Sequence, residues 1–89
     1  MSAFVKCIRL RYETDALKYL RFLWDVGPTE QFRAQRRILI ASAEDSMSAP
    51  VMRAVSDWFN SPRRYQFEGA VREVLRICKT PNWYETATG

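Results

Sequence analysis

Histidine is absent from this 89-residue chain. With it go the commonest general base, the commonest metal ligand and every Ser-His or Cys-His nucleophile pair. Glycine occurs three times, at Gly27, Gly69 and Gly89, so neither a phosphate-cradling loop nor a dinucleotide fingerprint can be written. The two cysteines, Cys7 and Cys78, stand near opposite ends, and neither has a partner at zinc-site spacing. They read as buried free thiols, a disulfide between the first and last elements being the minority reading. The longest apolar run, Ile38 to Ala41, falls far short of the roughly 20 residues of a membrane span, and no basic-then-apolar leader opens the chain. A soluble, cytoplasmic protein with no membrane partner is expected. Two carboxylate pairs remain, Glu13 with Asp15 and Glu44 with Asp45. Both read as helix-dipole partners near helix starts and not as catalysts. No enzyme activity, cofactor or metal is expected.

The mass is 10.5 kDa, which suits one core. We expect a globular domain over residues 1–80 and a partly mobile tail over 81–89. Hydrophobic residues make up 47% and charged residues 27%, an ordinary balance for a folded domain. The anomaly is the kind of charge. Fourteen basic residues face ten acidic ones for a net +4, and eleven of the fourteen are arginine. The excess is uneven: residues 1–37 carry +4, residues 38–60 carry −2 and residues 61–89 carry +2.

Hydrophobic periodicity predicts mixed structure. From Ala3 to Tyr12, Phe4, Ile8, Leu10 and Tyr12 share one parity and Arg9 and Arg11 the other, which reads as a half-buried strand; Lys6 fits it badly. Thr14-Asp15 starts and Gly27-Pro28 ends a helix over about 15–26, with Leu17, Leu20, Leu23 and Trp24 as its stripe and Tyr19, Phe22 and Val26 widening it. Residues 29–43 are ambiguous, but Arg37-Ile-Leu-Ile-Ala-Ser reads as a short buried strand. Ser48-Ala49-Pro50 opens a helix carrying Val51, Val55, Trp58 and Phe59 on one face. Ser61-Pro62 starts a last helix that runs to about Lys79. The expected fold is therefore α+β, a compact single domain with two short strands and three amphipathic helices, an all-α helical bundle being the alternative.

Positive clusters define the candidate contact residues. They are Arg33, Arg36 and Arg37; Arg63 and Arg64; and Arg72, Arg76 and Lys79, which with Tyr65 fall opposite the core stripe of the last helix. Trp83 and Tyr84 are the aromatics expected to be exposed or partly so in the tail, and Trp83 joins the candidate contact residues. Arginine pairs carboxylates through its planar fork and stacks on aromatic rings, so it is favoured at protein interfaces beside Trp and Tyr. The same groups could hold phosphates while Tyr65 or Trp83 stacks on bases. A helix-turn-helix comparison at Arg63 and Arg64 is weak, because a first-turn arginine opposes the helix dipole. The expectation is a small interaction protein, an inhibitor or adaptor of the phage or mobile-element type that occupies a face of a host protein or nucleoprotein complex. Direct nucleic-acid binding is the alternative, and the broadly apolar helix over 15–26 makes a homodimer a further candidate.

Overall fold

The computed structural model describes residues 2–46 and 48–81. Among them there is no strand, which overturns the α+β expectation: the described residues make an all-helical fold, with α1 Ser2–Arg9, α2 Glu13–Val26, α3 Pro28–Glu44, α4 Ala49–Phe59 and α5 Phe67–Cys78, and a 3₁₀ turn over Pro62–Tyr65. Trp83 and the rest of the expected tail from residue 82 onward lie outside the described residues.

Both expected strands fail for identifiable reasons. Phe4 and Ile8 satisfy a period of two, but their separation of four is equally one turn of helix. Both are fully buried, whereas Lys6 between them is exposed, as are Leu10 and Tyr12. The misfit of Lys6 was the helical signature, since two residues of helix turn through about 200°. In the second case the run Ile38 to Ala41 is split by helical geometry: Ile38 and Ala41 face inward, Leu39 is half-buried and Ile40 is exposed. The inward face of α3 is completed by Ala34, Gln35 and Ser42. Two of those are polar, so the helical stripe was hidden from hydropathy.

The remaining elements follow local chemistry. Glu13 and Asp15 occupy the first turn of α2, where acids complement the dipole. Glu44 and Asp45 do not repeat this arrangement: they end α3 instead of starting a helix, and Asp45 is its C-cap. Gly27 takes φ 149°, a conformation that side chains resist, and so turns α2 directly into α3, whose first residue is Pro28. The Gln31 side-chain amide then donates to the Trp24 carbonyl at 2.8 Å, satisfying one of the open acceptors at the end of α2. Ser48 caps α4 by accepting from the Val51 N–H. Ser61 accepts from the Arg63 N–H, but it opens the 3₁₀ turn and not α5, which starts at Phe67.

One core draws on all five helices: Phe4 and Ile8, Ala16, Leu20 and Leu23, Ala34 and Ile38, Val55 and Trp58, and Ala70, Val74 and Ile77 are among its members. Helices α3 and α5 each pack against the other four, with α1 and α2 paired on one side and α4 with the 3₁₀ turn on the other. Trp24 and Phe67 meet edge to face with centroids 6.0 Å apart. Close approach of the 3₁₀ turn to α5 requires Gly69, because a Cβ there would stand 2.6 Å from the Arg63 carbonyl oxygen.

Candidate interaction surface

Several of the arginines are tied to other groups of the same chain, some at the core's edge and some on the surface. Arg11 sits in the left-handed region at φ 64°, and its guanidinium gathers the carbonyl ends of three helices. It donates to Ile8 O at 2.9 Å and Arg9 O at 3.3 Å at the end of α1, to Asp45 O at the end of α3, and to Thr80 O at 3.1 Å beyond α5. A cation suits helix C-termini, where open carbonyls and the dipole are both negative. Beside it Arg9 binds the buried Asp45 carboxylate at 3.3 Å. Arg76 binds the buried Glu73 at 2.8 Å, Arg21 binds Asp25 at 3.2 Å and Arg33 binds Glu30 at 3.1 Å.

Arg64 is the hub of the most developed surface cluster. Its Nε donates to Oε1 of the buried Gln35 at 2.7 Å and its Nη1 to the Phe59 carbonyl at 3.1 Å. The guanidinium carbon lies 3.8 Å from the Phe59 ring centroid, 5.3 Å from that of Tyr65 and 5.5 Å from that of Phe32. Arg36 approaches the same Phe32 ring at 6.0 Å. Phe32, Arg36, Arg64, Tyr65 and Phe59 thus form one ladder across α3, the 3₁₀ turn and α4, held by cation–π contacts. Its outer rungs are open to solvent, Phe32 at 48% and Tyr65 at 65%.

The other expected contact residues are distributed around this cluster. At 100° per residue, Arg33, Arg36 and Ile40 lie on the side of α3 opposite Ile38; Phe32 lies on the Gln35 flank and Arg37 on the Ala34 flank. Arg33, Arg36, Arg37 and Ile40 line a surface hollow of about 470 Å³. Arg63 is exposed and donates from Nε to the Ser61 hydroxyl at 3.3 Å. Arg72, Arg76 and Lys79 are exposed on the outer face of α5, but Tyr65 does not share that face, because it belongs to the 3₁₀ turn. The structure therefore brings Tyr65, Arg64 and Arg36 together. Phe32 was missing from the sequence reading, although its place four residues before Arg36 is a helical pairing that a strand-biased view of this segment conceals.

A second surface lies between α1 and α2. Ala3, Lys6, Cys7 and Leu10 of α1 and its exit face Tyr12, Asp15, Lys18, Tyr19 and Phe22 across a largely apolar groove of about 760 Å³. Cys7 and Cys78 are both free. Cys78 is buried, and burial pushes its thiol from the ordinary 9.0 up to about 11, with the Arg11 charge acting in the opposite direction. Cys7 is only half-buried.

Among the described residues no group of three or more His, Cys, Asp or Glu is placed to hold a metal ion, and no helix is long and apolar enough to cross a membrane. Together these features describe a small five-helix domain with an arginine–aromatic surface. Comparison with known proteins gave no match: no family model, curated protein or solved structure is similar to this chain.

Proposed function

We propose that this chain is a non-catalytic interaction protein, an inhibitor or adaptor that occupies a face of a larger host protein or nucleoprotein complex through the ladder of Phe32, Arg36, Arg64 and Tyr65. One observation carries the reading: two arginines and two exposed aromatic rings are interlocked on a single surface, with Ile40 exposed at 36% on the same helix. Arginine and tyrosine are enriched at binding hot spots, tyrosine because it offers apolar area and a polar end at small entropic loss and arginine through its planar fork and its stacking on rings. Internal contacts already hold Arg64 in place, so docking need not order it. The phage-type or mobile-element-type origin is an analogy with other small proteins of this sort.

The test is capture from the native host followed by surface substitution. A stoichiometric protein recovered by the wild type should be lost with Phe32→Ser or Tyr65→Ser and retained with Arg53→Ala on α4. Retention by both ladder variants would place the contact elsewhere, and failure to recover any stoichiometric partner would end the proposal.

Direct nucleic-acid binding is the second reading, favoured by the convergence of Arg33, Arg36 and Arg37 on one hollow near the exposed ladder. Binding carried by phosphates weakens steeply with salt. Titration with duplex and single-stranded nucleic acid at about 50 and 200 mM salt decides it, and no binding at the lower value removes it.

A further inference from the structure

Helix α2 carries two stripes. The inner one, Ala16, Leu20 and Leu23, is buried in the core. The outer one runs from the N-cap residue Tyr12 through Asp15, Tyr19, Phe22 and Val26, with steps of three, four, three and four, the spacing of a coiled-coil seam. Its apolar members are all exposed large hydrophobic residues: Tyr12 55%, Tyr19 43%, Phe22 65% and Val26 57%. One flank of the seam is the groove shared with α1. Beside the seam Lys18, which also lines that groove, and Asp25 stand one heptad apart, both exposed. Asp25 keeps 66% of its side chain in solvent even with Arg21 on Oδ2.

This charge layout is complementary to itself in one orientation. When a second α2 runs antiparallel with Tyr19 against Phe22 of the second copy, Lys18 comes within two residues, about 3 Å along the axis, of Asp25 of that copy on the same flank, and Asp25 of its Lys18. Each Asp15 then faces Val26 at an open end of the seam. A parallel pair instead sets Asp15 against Asp15 within the seam, which is repulsive. A two-fold antiparallel pair also reuses one patch on both subunits, as closed symmetric dimers do.

We infer that this protein forms a symmetric homodimer through antiparallel pairing of the outer seam of α2, with the groove beside α1 receiving the aromatic side chains of the second copy. The dimer leaves the ladder on α3 and the 3₁₀ turn outside the interface. It therefore presents two copies of that surface, and its existence does not depend on the function proposed for the ladder.

Sedimentation equilibrium tests it. The wild type should approach twice the 10.5 kDa monomer mass as concentration rises. A monomer at every concentration up to about 1 mM, the weak end of the affinity scale, would overturn the inference. Phe22→Glu puts a carboxylate at an exposed position in the middle of the seam and should leave a folded monomer, its circular dichroism unchanged. A dimer that persists in this variant also overturns it. Orientation is read by charge exchange: Lys18→Asp should raise the dissociation constant about tenfold, and adding Asp25→Lys should restore it. Failure of the second change to restore dimerisation refutes the antiparallel arrangement.

Discussion

Replacing Arg11 is the sharpest probe of how the helices are held together. Its guanidinium has three well-placed carbonyl acceptors, Ile8, Asp45 and Thr80, one at the end of each of three helices. A hydrogen bond from a charged donor is worth about 1.5 to 3 kcal/mol net. The site is half-buried, so water replaces part of what is lost, and Arg11→Ala should destabilise the fold by about 3 kcal/mol. Arg11 also holds φ at 64°, which is unfavourable by about 1 kcal/mol for any residue with a Cβ. Arg11→Gly removes the same hydrogen bonds but relieves that strain, so it should lose only about 2 kcal/mol. Arg11→Lys keeps the charge and the strain but has no fork to span three carbonyls, and should fall between wild type and Ala. Chemical denaturation of the three variants gives the order directly. In thermal unfolding the alanine change should lower the midpoint by roughly 15 °C for a domain this small. An alanine variant within about 0.5 kcal/mol of wild type, or a glycine variant no better than alanine, would refute the argument that one guanidinium closes three helix ends.

Gly69→Ala sets two effects against each other: helix propensity alone favours alanine by about 1 kcal/mol, but the new Cβ would meet the Arg63 carbonyl oxygen at 2.6 Å and Trp58 Nε1 at 3.2 Å. The clash should win, with a net loss of about 1 to 2 kcal/mol, and a stabilised variant would show that the turn can move away. Arg64→Ala strands the carbonyl oxygen of Gln35, a residue 1% exposed, and should be destabilising by about 2 kcal/mol, most of which a second change, Gln35→Leu, recovers by removing the unpaired group. Cys7 should react with a thiol reagent at pH 8 well before Cys78, checked by mass spectrometry, because burial keeps the Cys78 thiol protonated up to about 11. The same shift links to stability. The Cys78 contribution is intact below about 9, where the unfolded thiol begins to ionise, and is lost as pH rises toward about 11; a Cys78→Ala variant should lack that part of the alkaline decline.

The helices that could be read from sequence are those with chemical punctuation. Gly27-Pro28, Ser48 with Pro50 and the acids at Glu13 and Asp15 mark boundaries through backbone conformation and dipole interactions that need no distant partner. The two segments misread as strands lack a clean apolar stripe. In α1 the first turn is too short for period two and period 3.6 to separate at Phe4 and Ile8. In α3 the inward face includes Gln35 and Ser42, whose burial makes sense only once Arg64 reaches Gln35 from 29 residues away. The candidate site divides in the same way. Clusters of arginine along the chain were visible, but which of them face solvent was not, because pairing partners such as Asp45 for Arg9 lie 36 residues off.

Composition and local pattern were enough to exclude histidine chemistry, glycine-loop nucleotide sites and a membrane-spanning helix, and to place α2, α4 and most of α5. Those conclusions rest on residue types and on interactions within a turn or two of helix. The division of the arginines into fastenings and free surface was decided by assembly. A guanidinium at Arg11 becomes structural because Thr80, 69 residues later, arrives beside it, and one at Arg36 stays exposed with the ring of Phe32 beside it. Charge is written in the chain, but its use depends on which helix ends, rings and buried carboxylates packing brings within reach.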